Sequence, residues 1–383
     1  MYGYLNRKKA GMQALNTFLK GTGRLLWWPA VVGAIFVIGS AVLGIVTSLP
    51  SKDTKLKLFG SPEYFHDRWN RGFYFAASVR NAVVLVRALG TDNMQLLLVD
   101  FDTGKKIRLG SERSHLLSPY LSQDGTRLMF TRQLLGREGH ELISCETISF
   151  TCRTMMRSNG AIQSPIEISG HRVLYVSSPW RRPDGQVRFS SNDIWLLDPA
   201  TGSRQLTDFQ LYQLYSLSVS DNSIYFSGVG PRPEKPIIPK YEPDLNAQSD
   251  IFRLPFDHET GTLEAPPEMM TPLFAGSGIA TRPSTSANGL LVAFLRTRTG
   301  ISPYHYNLVI ADRNEHTERL IETSGLGFSQ PVVIGGDVYA AVTKDDRVLI
   351  QMVRPGEPDM KLLADITDAS AAAAETIELK IEP

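Results

Sequence analysis

The sequence predicts an all-β fold: a six-bladed β-propeller preceded by a single transmembrane α-helix. Three observations predict it. An uncharged apolar run lies near the N-terminus, a two-part strand repeat recurs behind it, and glycine and proline are spread through the 383 residues at fairly even intervals. Even spacing of turn-forming residues favours many short strands over long helices.

Composition narrows the function classes. The formal net charge is +1, so no long-range field draws the chain to nucleic acid or an acidic substrate. With 42% hydrophobic residues and 383 residues in all, the chain can build one large domain and an anchor. Only two cysteines are present, which excludes a disulfide framework and a cysteine-rich metal protein.

The apolar run, residues 25–49, reads LLWWPAVVGAIFVIGSAVLGIVTSL. About 20 apolar residues in a helix cross a ~30 Å hydrocarbon core, and this run is long enough. Trp27 and Trp28 suit the headgroup region, and Pro29 falls in the first turn, where its missing N–H does no harm. Arg7, Lys8, Lys9, Lys20 and Arg24 precede the run with no acidic residue among them. The positive-inside rule then puts segment 1–24 in the cytoplasm and everything after the helix outside it. Lys52, Lys55 and Lys57 weaken that bias without reversing it. A cleaved signal peptide is the competing reading. Its apolar region would be shorter, and VTSLPSK is a poor cleavage site.

After a polar linker, 50–71, the repeat begins. One unit is an apolar strand, the turn D-x-x-T-G and a second short strand. It appears as QLLLVDFDTGKKIRL from Gln95, DIWLLDPATGSRQLT from Asp193 and DIFRLPFDHETGTL from Asp250, with a degraded copy from Asn307. The aspartate caps the turn and the glycine takes the positive φ that a tight hairpin needs. The other unit is a strand, a turn of Gly, Asp or Asn, and a strand of Val, Ile, Leu, Phe and Tyr. SPYLSQDGTRLMFTR from Ser118 is its clearest copy; others start at Ser164, Tyr215, Arg282 and Gln330, with a looser one from Gly72. Each full period therefore holds four strands in roughly 40–60 residues, the period of a propeller blade. Six periods fit in 72–368. Blades stacked round an axis bury one another's faces, which a lone four-stranded sheet cannot do.

The pattern of Ser118 to Arg132, a Ser-Pro, alternating residues, Asp-Gly and a hydrophobic strand, resembles the repeat of TolB-type propellers. So does the D-x-x-T-G strand with its following Arg204 to Thr207. The likeness covers most of 72–368 and is weakest in the first and last blades. It implies a bacterial envelope protein whose propeller binds protein. TolB carries a separate α/β domain ahead of its propeller; this chain has the apolar segment there, so functions of that domain are not implied. The final stretch, 369–383, ends in ETIELKIEP, which alternates like a strand. It either closes the ring on the first blade or hangs free.

No local motif points to catalysis, a metal or a cofactor. There is no G-x-S-x-G elbow, no H-E-x-x-H and no glycine-rich phosphate loop opening a helix. His171, His258 and His316 fall in or beside predicted turns and read as solvated turn residues. Asp100-Phe101-Asp102 lacks the spacing of a calcium loop.

The expected contact surface lies in the long connections between the second and third strands of the blades. The third blade's loop carries Trp180, Arg181, Arg182 and Arg188; the fourth's carries Lys235, Lys240 and Tyr241 among five prolines; the fifth's includes Arg296, Arg298 and Tyr304. Long loops on a rigid scaffold commonly carry binding, and Arg, Trp and Tyr are favoured interface anchors. Cys145 and Cys152 are expected to pair across one hairpin of the second blade, with Ile148 and Ser149 near its turn, since facing residues in antiparallel strands stand within disulfide range. The resulting expectation is a non-enzymatic docking or scaffold subunit in the bacterial inner membrane, with protein partners at the membrane, the bilayer around 25–49 and no nucleic acid. The alternative is a sensor or enzyme for a glycan or small molecule held at the mouth of the channel.

Overall fold

Among the described residues, twenty-six short strands arranged as six radial blades, the last two joined edge to edge in one sheet, and two more strands from the C-terminal stretch make up the architecture seen in a computed structural model. The model describes residues 74–87, 94–110, 114–134, 139–178, 192–209, 211, 213–229, 249–266, 268–269, 280–297, 306–322, 327–344, 347–367 and 375–382. The apolar run 25–49, its cytoplasmic flank and the linker lie outside these residues. Among the described residues no helix is long and apolar enough to cross a membrane.

The first blade is β1 (Phe75–Ala77), β2 (Asn81–Arg87), β3 (Met94–Asp100) and β4 (Lys106–Gly110). The second is β5 (Ser114–Leu121), β6 (Arg127–Leu134), β7 (His140–Glu146) and β8 (Cys152–Ser158), and the third is β9 (Ala161–Glu167), β10 (Val173–Ser178), β11 (Asp193–Asp198) and β12 (Gly202–Gln205). The fourth holds β13 (Gln213–Ser220), β14 (Ser223–Val229) and β15 (Asp250–Asp257), with β16 (Thr262–Leu263) and β17 (Glu268–Met269) both beside β15. The fifth is β18 (Ala280–Thr285), β19 (Leu291–Thr297), β20 (Tyr306–Asp312) and β21 (Thr317–Ile321). In the sixth, β22 (Gly327–Phe328) and β23 (Val332–Ile334) share the inner edge of β24 (Asp337–Lys344), followed by β25 (Arg347–Val353) and β26 (Met360–Asp365). Within every blade the sheet pairings are antiparallel and sequential from axis to rim.

The middle strands show why the chain folds this way. Ala82 to Leu85, Leu96 to Val99 and Val292 to Leu295 are buried residue after residue, on both faces of their sheets. A strand sandwiched between two layers must be apolar on both sides. The core is accordingly six apolar clusters, one in each gap between consecutive blades. The cluster of Phe75, Val84, Leu97, Tyr339, Ile350 and Met352 fills the gap between the sixth blade and the first, which closes the ring.

The sixth blade and the first share none of their antiparallel strands. Instead the C-terminal stretch returns along the rim as β27 (Glu375–Glu378) and β28 (Ile381–Glu382). β27 pairs parallel with β4 of the first blade, and β28 pairs parallel with β8 of the second. Leu379, between them, is buried in the cluster shared by those two blades.

The repeat's turns behave alike. Asp100, Asp198, Asp257 and Asp312 each accept backbone N–H groups from residues two and three further on. Gly104, Gly202 and Gly261 close those turns at positive φ; in the copies without glycine, Phe150 and His316 take the same conformation.

Candidate functional site

Strand alternation gives the ring two faces. Hairpins joining first to second and third to fourth strands lie on one, the turn face. Connections from second to third strand, and from blade to blade, lie on the other, the loop face.

The inner strands share a device that the sequence pattern does not reveal. Ser118, Ser164, Ser216 and Arg282 occupy equivalent places in β5, β9, β13 and β18, and all have φ of 48–55°. A register shift marks each of these blades between its first two strands. Such a bulge re-aims the residues after it. Two residues on, Ser218 Oγ accepts the backbone N–H of Thr285 in the next blade at 2.9 Å, and Ser284 Oγ accepts that of Val333 at 2.9 Å. Tyr120, at the same place in the second blade, accepts from the N–H of Glu167 in the third. These side chains tie neighbouring inner strands together around the axis.

The strand halves beyond the bulges enclose a cavity of about 530 Å³ on the axis, toward the turn face. All six blades contribute. Pro119, Pro165 and Pro331 form part of the wall, with Phe75, Ile166, Val219 and Ile334. Tyr74, at the start of the first inner strand, also lines it, and the fully buried Arg282 holds its guanidinium 5.3 Å from the centre of the Tyr74 ring.

Polar groups gather where the second, third and fourth blades meet the mouth. Glu167 lines the cavity and takes both Arg127 Nη1 and His171 Nδ1 on its Oε1, the latter at 3.0 Å. No described donor reaches its Oε2. Burial, and next the charge of Glu167, push the Tyr120 phenol well above its ordinary pKa, so it stays protonated. His258 is half-buried; its Nε2 lies 2.5 Å from the carbonyl oxygen of Ser220, while Ser169 and Arg172 bond its own carbonyl. Asp221, at the tip of the β13–β14 turn, is exposed and lines the rim. Its N–H donates to Ala287 at 2.6 Å, which fixes the turn against the fifth blade. Among the described residues no lysine or arginine lines the cavity.

The residues expected from sequence fare differently. Trp180, Arg181, Arg182, Arg188, Lys235, Lys240, Tyr241, Arg298 and Tyr304 lie outside the described residues. Arg296 is inside β19, not in a loop, and its side chain is committed: Nη2 bonds Glu318 at 2.5 Å and the guanidinium lies 5.5 Å from the Phe294 ring centre. Paired and only 14% exposed, it braces the fifth blade. Cys145 and Cys152 face each other across the β7–β8 hairpin and are joined by a disulfide, with Cα atoms 4.0 Å apart. His258 is no solvated turn residue, since it reaches the cavity wall. Tyr120, Glu167 and Asp221 were not singled out from sequence, because only the packing of the blades brings residues of the second, third and fourth to one cavity.

No protein-family model matches the sequence, and no curated protein matches it. Solved structures do. TolB from Acinetobacter baumannii is similar with a TM-score of 0.52 at 15% identity, over 74% of this chain and 65% of that one. The chain thus spans just under two thirds of that structure's length. A putative TolB from Agrobacterium tumefaciens gives 0.48 at 17% identity, covering 76% of this chain and 90% of that one. An acylaminoacyl peptidase from Pyrococcus horikoshii gives 0.46 at 15%, covering 76% of this chain and 46% of that one. Blade count, strand order and the Acinetobacter likeness agree: the chain is a six-bladed β-propeller with the TolB-like fold.

Proposed function

We propose that this propeller is a membrane-tethered, non-enzymatic docking subunit of a bacterial envelope complex. Segment 25–49 anchors it with residues 1–24 in the cytoplasm, and the loops bearing Trp180 to Arg188 and Lys235 to Tyr241 hold a protein partner on the outer side. One observation carries the reading. Three of the connections from second to third strand, those leaving β10, β14 and β19, are long and start from one face of a ring whose middle strands are buried on both sides. A rigid frame with long loops on one face suits protein recognition. Replacing Trp180, Arg181, Arg182 and Tyr241 with alanine should abolish co-purification of a stoichiometric partner in mild detergent while the far-ultraviolet circular dichroism is unchanged. Retained capture would remove the loops as the contact surface. A C-terminal alkaline phosphatase fusion should be active and a green fluorescent protein fusion dark; the reverse pattern would overturn the orientation.

A second reading, a sensor for a small molecule or glycan bound in the channel, is favoured by the cavity of about 530 Å³ on the axis. That is room for a ligand of a few residues or sugar rings.

A further inference from the structure

Two carboxylates at the mouth of the axial cavity, Glu167 and Asp221, keep oxygens without a described donor. Glu167 has both its partners, Arg127 and His171, on Oε1, which leaves Oε2 without a described donor. Its side chain is 16% exposed, so the carboxylate is held in place and still reachable. The carboxylate of Asp221 likewise has no described partner. Arg127 is committed to Glu167 Oε1, and Arg172 is spent on the carbonyls of Ser169, His258 and Glu259. Arg127 and Arg172 are not part of the wall.

The wall below the rim offers the complement of an alkyl chain that ends in a charge. Pro119, Pro165 and Val219 are apolar, and Tyr120, an aromatic residue of the wall, keeps a neutral phenol. A carboxylate with an open oxygen gains most from a charge-assisted donor. Aromatic faces also attract cations that have been partly stripped of water. An anion would meet two carboxylates and no lysine or arginine on the wall, and a purely apolar ligand would leave both carboxylates to be desolvated for nothing.

We propose that this cavity is a binding site for a single alkylammonium or guanidinium group on a short aliphatic stem, contacted by Glu167 Oε2 and Asp221. The site is on the turn face. It rests on the reading of the channel as a binding site and not on docking by the loops of the opposite face. The chemistry is that of a lysine or arginine side chain on a partner segment, or of a free alkylamine.

The test is isothermal titration of the full chain in detergent with three probes: cadaverine, an acetylated and amidated Gly-Lys-Gly peptide, and its norleucine counterpart. The lysine peptide should bind at least about tenfold more tightly than the norleucine peptide, the worth of one charge-assisted contact. The gap should shrink as salt is raised. Asp221→Asn, an exposed turn substitution that keeps the side chain's shape, should cost the lysine peptide about tenfold and leave the norleucine peptide unchanged. Cadaverine binding as well as the peptide would identify a free amine as the ligand source; preference for the peptide would identify a basic residue on a partner. Equal binding of the lysine and norleucine peptides overturns the proposal. So does no binding of either cation by protein with an intact near-ultraviolet spectrum, or an Asp221→Asn variant with wild-type affinity. Partner capture through the loops should be unaffected by Asp221→Asn, so each reading can fail without the other.

Discussion

At the scale of single residues, the glycines separate two costs that a sequence pattern merges. Gly104 has φ +68° and nothing within 4 Å of where a Cβ would stand. Gly139 has φ +93°, and its Cβ would lie 2.2 Å from the backbone oxygen of Ser158. Gly104→Ala should therefore cost only the left-handed backbone, about 1–2 kcal/mol. Gly139→Ala adds a clash with main chain that cannot swing away, and about 3–5 kcal/mol is expected. Urea midpoints of the two variants check this, and equal midpoints would contradict it. The first glycine was legible from the D-x-x-T-G repeat. The second was not, because its constraint comes from a strand nineteen positions further along the chain. The same distinction separates Asp100, whose capping role follows from its neighbours, from Glu167, which is held at the cavity by Arg127 of the preceding blade.

At the scale of elements, the hairpins were legible and the bulges were not. A hairpin is set by residues a few positions apart, and Asp-x-x-Thr-Gly states its own turn. The bulges at Ser118, Ser164, Ser216 and Arg282 serve contacts between blades, and the equivalent place is a serine in three blades and an arginine in the fifth. The β7–β8 hairpin is a case where local reading reached a covalent feature. Cys145 pairs with Cys152 in register, and both sulfurs are buried against the first blade and the returning C-terminal stretch. A loop this short limits the entropic gain, so replacing both cysteines with alanine should cost at most about 2–3 kcal/mol. Protein made in an oxidising compartment should take up no alkylating reagent until it is unfolded and reduced. Intact mass showing two alkylated thiols in unfolded, unreduced protein would refute the bond. The tip of that hairpin, Ile148, is 88% exposed, so the bond fixes a turn that has little packing of its own.

At the scale of the whole molecule, the ring is held by packing and a strap. The first blade takes its antiparallel strands from β1 to β4 and the sixth from β22 to β26, so neither borrows a strand from the other, and only β27 of the C-terminal stretch is added, at the rim of the first. Their seam rests on the apolar cluster of Phe75 and Ile350 and on a few polar links, such as Lys106 Nζ to the carbonyl of Asp365 at 2.6 Å. The returning stretch adds the tie that a shared strand would otherwise provide. It leaves the sixth blade, lies along the first and ends on the second, with Leu379 as the buried peg and Lys105 paired to Glu375 at 3.1 Å. Sequence left that stretch as either a free tail or a closing strand, because an alternating ETIELKIEP fits any open sheet edge. Burying Leu379 contributes roughly 1.5–3 kcal/mol, and two parallel pairings are added to it. Deleting residues 375–383 should therefore lower the melting temperature and open the seam first. Hydrogen exchange should rise in β1 to β4 and in β24 to β26, while the third and fourth blades keep their protection. Leu379→Asn, which keeps the main-chain pairings and removes the peg, should give the same pattern more weakly. A uniform loss of protection across all six blades, or none, would mean that the strap decorates the rim and the seam closes without it.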